Sequence, residues 1–295
     1  MTKDSFTIGL VQYAMAEDAN ANLETAARLV RRASEAGASV VCLPELCATP
    51  YFCKTHDESS FALAEGLDGP GLGRMAKAAR EAGVTLVVPF FERRAPGLYH
   101  NSAVVLSPDG GLLGHYRKLH IPEDPGFHEK YYFTPGDLGV LAVDTPAGRI
   151  GVLICWDQWF PEAARLTALA GAEVIFYPTA IGRLESESPQ QAAEMRAAWQ
   201  VVQRGHAVAN GLYVAAVNRT GFEPSSGGGE GVDFWGGSFV ADPMGVLIAE
   251  ATADDETVLL ATVDRARIES VRRTWPFLRD RRVEAYGGLL ARFGS

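Results

Sequence analysis

Apolar and polar positions along this chain switch repeatedly between two periods. Residues 6–11 form a mostly apolar run, as a buried strand would. Over 20–36 the period becomes helical: Leu23, Ala26, Ala27, Val30 and Ala33 share one face, with Arg31, Arg32 and Glu35 outside. Gly37 supplies a helix stop. A strand follows at 39–43, closed by Pro44-Glu45. A second helix is predicted over 72–82, stopped by Gly83, and a strand over 84–91. Segments 99–106 and 112–118 predict a hairpin around Pro108-Asp109-Gly110-Gly111.

The second part of the chain repeats the alternation. Strands are predicted at 139–144, 149–154, 172–177 and 212–217, and helices at 160–170 and 190–210, the latter broken at Gly211. Residues 222–237, rich in glycine and serine, read as a mobile loop. Strands at 239–241, 246–250 and 258–264, a short basic helix at 265–273 and a mixed amphipathic tail at 275–295 complete the chain. Without a break in composition, the alternation predicts one α/β domain over 1–295. The order strand, helix, strand, Pro/Glu loop near residue 45 echoes strand, helix, strand, Pro/Thr loop near residue 179. That echo predicts two similar halves, each a sheet with helices outside.

Composition changes this picture little. The 295 residues are 47% hydrophobic and 21% charged, ordinary for a soluble globular chain. A formal net charge of -9 argues against a nucleic acid or an anionic membrane as partner. No apolar run approaches the ~20 residues of a membrane span, and Met1-Thr2-Lys3-Asp4-Ser5 carries no secretory pattern. The four cysteines, Cys42, Cys47, Cys53 and Cys155, suit free thiols in a reducing cytoplasm. Cys47, Cys53 and His56 crowd together, but their spacing fits no common zinc pattern, and no C-x-x-C pair supports a redox role. No metal or organic cofactor is expected.

Three strand ends carry the candidate chemistry. The run 149–154 stops at Cys155, and Pro161-Glu162 then suits a helix start. A thiol at such a turn is held at a sheet edge, near backbone N–H groups that favour a thiolate or an oxyanion. Glu45 follows a buried strand and precedes the apolar and aromatic stretch 46–52, so it is a desolvated carboxylate suited to general-base work. Lys118 ends the strand that begins at 112. Alternation puts it on one face with Tyr116, and there it can neutralise charge on a carbonyl oxygen. Parallel strand ends gather at one edge of an α/β sheet, so the three residues can converge.

These segments resemble the nitrilase (carbon–nitrogen hydrolase) superfamily over nearly the whole chain. Leu43-Pro44-Glu45-Leu46 is similar to its glutamate motif, Tyr116-Arg117-Lys118-Leu119-His120 to its lysine motif, and Ile154-Cys155-Trp156-Asp157 to its cysteine motif. The resemblance implies a four-layer α-β-β-α sandwich with a Glu45-Lys118-Cys155 triad. Glu129 is then a supporting second glutamate, and the Trp156 backbone N–H an oxyanion donor. Segments 120–137, 155–162 and 178–182 and the tail 275–286 resemble most the branch that hydrolyses N-carbamoylputrescine, a small carbamoyl amine. The expected substrate contacts are Tyr51, Trp156, Thr179 and Ala180. Tyr51, Phe127, Trp156 and Trp159 suit an alkylammonium by cation–π contact. Around 122–133 the charges are Glu123, Asp124 and Glu129, against Lys130 as the cation. Two positions depart from the branch: Val283 stands in place of a proline, and 183–189 diverges near the expected pocket. A β-ureidopropionase or other ω-amidase is the neighbouring reading, and a non-catalytic binding protein on the same fold a remote one. The resemblance also implies a homo-oligomer built from dimers, with the helix at 160–170 and the tail in the contacts.

Overall fold

A computed structural model describes residues 4–225 and 229–294. The first half runs β1 (Ser5–Gln12), α1 (Ala19–Glu35), β2 (Val40–Cys42), α2 (Pro70–Ala82), β3 (Thr85–Ala95), β4 (Leu98–Leu106) and β5 (Leu112–Arg117). The second runs β6 (Leu141–Asp144), β7 (Arg149–Val152), α3 (Pro161–Leu169), β8 (Val174–Thr179), β9 (Gly182–Leu184), α4 (Pro189–Asn210), β10 (Tyr213–Asn218), β11 (Thr220–Glu223), β12 (Val232–Trp235), β13 (Phe239–Ala241) and β14 (Leu247–Glu250). The last two elements are β15 (Thr257–Asp264) and α5 (Arg265–Thr274).

Two six-stranded sheets result, ordered β15-β1-β2-β3-β4-β5 and β14-β13-β10-β8-β7-β6. Each has three parallel strands at its centre, one antiparallel strand on one side and two on the other. The two halves therefore share one topology, with β1 corresponding to β7, β2 to β8 and β3 to β10. The close helix packing corresponds as well. A Cβ on Gly9 would stand 3.2 Å from both Ala33 and Ala38, and one on Gly151 2.3 Å from Thr167 and 3.2 Å from Ala172. A Cβ at Gly151 would collide with α3, and one at Gly9 would be tight against α1.

Strand alternation sorts the core into layers. Ile8, Leu10, Val40, Cys42 and Val87 belong to the cluster shared with the second sheet, whereas Val11, Val41, Leu43, Leu86 and Val88 pack with α1 and α2. With α3 and α4 covering the second sheet, the layers are α-β-β-α, as expected. Asp18 caps α1 by accepting from Asn20 N, and Ser188 caps α4.

The predicted loop at 222–237 is corrected. Thr220–Glu223 and Val232–Trp235 pair with each other, and β12 also pairs with β9, forming a small third sheet. The Val232, Phe234 and Trp235 side chains are buried and justify those strands despite the glycines. Residues 226–228 of that loop, like Met1–Lys3 and Ser295, lie outside the described residues. Among the described residues no helix is long and apolar enough to cross a membrane.

Candidate active site

The three strand ends meet. β5 lies two antiparallel steps from β3 and so runs in the same direction, which brings Lys118 to the edge where β2 delivers Glu45. Cys155 comes from the facing sheet, just beyond β7. Leu153 N donates to Phe176 O at 3.0 Å, so the chain stays on the sheet until the thiol. Cys155 then adopts a left-handed φ of 42° and opens a short 3-10 turn, Cys155–Trp159, before Pro161 starts α3. Leu46, directly after Glu45, has φ 48°. Non-glycine residues in this region are strained, and both occur beside the candidate chemistry.

Lys118 is the hub. Its Nζ donates to Glu45 Oε1 at 2.9 Å and to Glu129 Oε2 at 2.6 Å, and all three side chains are buried. Asn101 Nδ2 donates to Glu45 Oε1 at 2.7 Å, and Tyr51 OH to Glu129 Oε1 at 2.8 Å. Glu45 Oε2, equally buried, has no hydrogen-bond partner. A carboxylate oxygen left unpaired out of water is costly unless something else uses it. The Cys155 thiol is only 6% exposed, so a substrate reaches it by entering the protein. Its Sγ lies 4.0 Å from Ala180 O.

The electrostatics follow from two carboxylates sharing one ammonium out of water. Burial and the Glu45 charge push the Cys155 thiol well above its usual range, with Lys118 pulling the other way. Burial alone would lower Lys118, but the Glu129 and Glu45 carboxylates outweigh it and hold the lysine charged. Glu129 is raised to about 7 by burial, against the pull of Lys118. The thiol is thus protonated at rest, and a nearby base is needed when it attacks.

Two supporting groups were not legible as such in the sequence. Asp157 is buried and ties the halves together. Its Oδ2 accepts from Ile154 N (2.9 Å) and Tyr116 OH (2.7 Å), and its Oδ1 accepts from His120 N (3.0 Å) and lies 2.7 Å from His120 Nδ1. The other is Arg219, fully buried beyond β10. It donates to Glu45 O (2.6 Å), Leu46 O (3.2 Å) and Thr49 O (3.2 Å), and pairs with Glu223 at 2.7 Å. Glu223 in turn accepts from Tyr51 N at 2.6 Å and pairs with Lys54 at 3.3 Å. One buried guanidinium thereby fixes the strained turn after Glu45. The signal was faint: Arg219 and Glu223 stand four apart at the start of a stretch that reads as loop.

The remaining expected residues are placed as follows. Tyr51 is buried, its hydroxyl on Glu129 and its ring 5.5 Å from Phe127. Trp156 is partly exposed and edge-on to Trp159. The Thr179 hydroxyl lies 2.9 Å from Tyr177 O and 3.2 Å from Gln158 Oε1, engaged in the interior. Lys130 is exposed. The cluster Cys47, Cys53, His56 does not assemble as a donor set: the Cys47 thiol donates to Pro89 O, Cys53 is buried, and His56 is exposed. A groove of about 770 Å³, lined by Ser5, Thr7, Gly37, Gly83 and Arg265, lies at the opposite, amino ends of the parallel strands. Size alone would misplace the site, because ligands of such sheets bind at the carboxyl ends.

The chain is similar to known proteins over nearly its whole length. The carbon-nitrogen hydrolase family pattern matches residues 7–273. An N-carbamoylputrescine amidase of Solanum lycopersicum is 45% identical over 292 residues, covering 98% of this chain and 96% of the relative. A citrullinase of Francisella tularensis is 39% identical, covering 97% of this chain and 98% of the relative. A crystal structure of a carbon-nitrogen hydrolase from Helicobacter pylori superposes with a TM-score of 0.95 at 44% identity, covering 98% of this chain and all of that one. The chain belongs to the carbon–nitrogen hydrolase family and has its sandwich fold.

Proposed function

We propose that this protein is a thiol amidohydrolase that cleaves N-carbamoylputrescine to putrescine, carbon dioxide and ammonia. One observation carries the reading: Glu45 has one oxygen committed to Lys118 and Asn101 and the other buried without a partner, in the charge cluster around Cys155. That second oxygen takes the thiol proton as sulfur attacks the carbamoyl carbon. Lys118 and the Trp156 backbone N–H stabilise the oxyanion. The C–N bond to the diamine breaks, Glu45 returns the proton to the leaving nitrogen, and a carbamoyl thioester remains on Cys155. Water, deprotonated by the same carboxylate, releases carbamate, which breaks down to carbon dioxide and ammonia. Glu129 and Tyr51 hold Lys118 in place, and Ala180 walls the thiol.

A cationic substrate tail suits the charges beside this site. Ala180 leads into β9, whose Leu184 packs on the 122–128 loop at Gly126. Glu123, Asp124, Glu185 and Glu187 stand on these two segments, while Arg183 is neutralised by Asp233 at 3.0 Å. A substrate with a carboxylate tail would meet these carboxylates, with exposed Lys130 just past the loop as a cation. Among the described residues, exposed Leu166 and Leu169 on α3 and Leu289, Leu290 and Phe293 in the tail support a homo-oligomer built from dimers. Four unpaired buried thiols suit a reducing cytoplasm.

The test is ammonia release from N-carbamoylputrescine and, in parallel, N-carbamoyl-β-alanine, by the protein and by Cys155→Ala. Cysteine-dependent turnover of the first alone is expected. Turnover of the second alone would overturn the substrate and keep the thiol chemistry.

A further inference from the structure

Away from the catalytic hub, three metal-ligating side chains from two segments meet at the surface. His56 lies just past the short turn Phe52–Lys54, and Glu123 and His128 stand near the two ends of the loop that leads to Glu129. One ligating atom from each lies within 4.8 Å of the other two. Glu123 Oε1 is 2.8 Å from His128 Nδ1, and the two imidazole rings meet edge-on with centroids 5.1 Å apart. The His56 ring is stacked on Tyr131 at 4.5 Å and 12°. The His128 backbone N–H donates to Cys53 O at 2.8 Å, which fixes the spacing of the two segments.

The donor set selects the ion. Two imidazole nitrogens and one carboxylate oxygen suit zinc, nickel, cobalt or copper, whereas magnesium and calcium prefer oxygen throughout. Bonds of about 2.0–2.2 Å in a tetrahedral site put ligand atoms about 3.4 Å apart. The three atoms lie within 4.8 Å of one another, and with His56 and Glu123 exposed and His128 partly so, their side chains have room to turn toward a shared ion. The open side leaves the fourth position to water.

From this geometry we infer that His56, Glu123 and His128 bind a divalent transition-metal ion. The ion would clamp the segment that carries Tyr51 to the loop that carries Phe127 and Glu129. Those segments already touch through the Tyr51–Glu129 hydrogen bond and the Tyr51–Phe127 ring contact. The ion takes no part in the bond-making steps, but it would neutralise Glu123, one of the carboxylates beside the proposed substrate tail. It also explains why His56 fits no metal pattern in sequence: its partners lie some seventy residues away and not in the nearby cysteines.

The experiment is calorimetric titration of Ni²⁺ and of Zn²⁺ into the tag-free full chain. Cys155→Ala is built in so that the nucleophile cannot take the ion. His56→Phe, which keeps a ring on Tyr131, and His128→Ala are run beside it, and circular dichroism checks that each is folded. One saturable site per chain, weakened at least about tenfold in each histidine variant, is expected. Co²⁺ should give the visible absorption of a tetrahedral site, lost in both variants. Absence of saturable binding, or equal affinity in the parent and either variant, would overturn the proposal.

Discussion

The two halves of this protein share a strand order and the same glycine-mediated helix packing, yet they contribute opposite things to one site. The correspondence runs residue by residue through the β2 and β8 segments: Gly37-Ala38 matches Gly171-Ala172, Val40 matches Val174, and Pro44-Glu45 matches Pro178-Thr179. Gly37 and Gly171 even share φ 96°. At equivalent strand ends, then, the first half has a carboxylate and the second a hydroxyl. Just past β1 and β7 the situation reverses. Tyr13 in the first half donates from a buried hydroxyl to Cys47 O, and Cys155 in the second carries the thiol. The first half supplies Glu45, Lys118 and Glu129, a buried cluster that is costly to assemble. The second supplies the proposed nucleophile, a neutral thiol, and its own buried charges, Asp157 and Arg219, hold the turns around the site. A duplicated scaffold thus brings two sets of strand ends face to face, with the three charged groups at the hub drawn from one set and the thiol from the other.

That division sets the expected mutational pattern. Cys155→Ala should cost about 10⁴-fold or more in turnover while shifting the melting temperature only slightly, because a small neutral group is removed. Lys118→Ala should abolish turnover and also lower the melting temperature by roughly 10 °C, since it strands two buried carboxylates. Equal thermal effects from the two variants would break the comparison.

Glu129→Gln keeps a side chain of the same shape and removes half of the charge shared with Lys118. Turnover should fall about 10–100-fold. The pH dependence carries the sharper sign. The folded protein holds the Glu129 proton up to about 7, above the ordinary carboxylate range, so this group destabilises the fold progressively as pH rises from about 5 to 7. Melting curves of Glu129→Gln should lose that decline, and an unchanged pH slope would count against a buried, shared proton.

Arg219→Lys retains the charge but not a fork that spans the Glu45 and Leu46 carbonyls. A fall in kcat of about tenfold with KM nearly unchanged is expected, read by steady-state kinetics. The smallest effect should come from Thr179→Val, at the second-half counterpart of Glu45. Its hydroxyl serves Tyr177 and Gln158, so turnover should stay within about threefold and stability within about 1 kcal/mol.

Much of this was legible in the chain. Periodicity gave the alternation of strands and helices and the paired Pro44 and Pro178 strand ends, because buried strands and amphipathic helices leave strong local patterns. Glu45 and Cys155 could be singled out because each follows an apolar strand, and Lys118 because it ends an alternating one. What escaped depends on distant partners. Arg219 carries little local signal, because its role follows from carbonyls some 170 residues away. Residues 222–237 read as loop because the order of Thr220–Glu223 and Val232–Trp235 comes from pairing with each other and β9. Thr179 lies in a segment that resembles a substrate motif, but which way its hydroxyl faces is set by Gln158 on the nucleophile turn.

The central claim is that a carboxylate from the first half activates a thiol from the second. The most direct test is to quench turnover of N-carbamoylputrescine with acid and locate the carbamoyl group by peptide mass spectrometry, in the wild type and in Glu45→Gln. The account predicts an adduct on the peptide containing Cys155 in the wild type, formed at least about 10²-fold more slowly in Glu45→Gln. An adduct on another residue, or equal rates of formation in the two proteins, would contradict it.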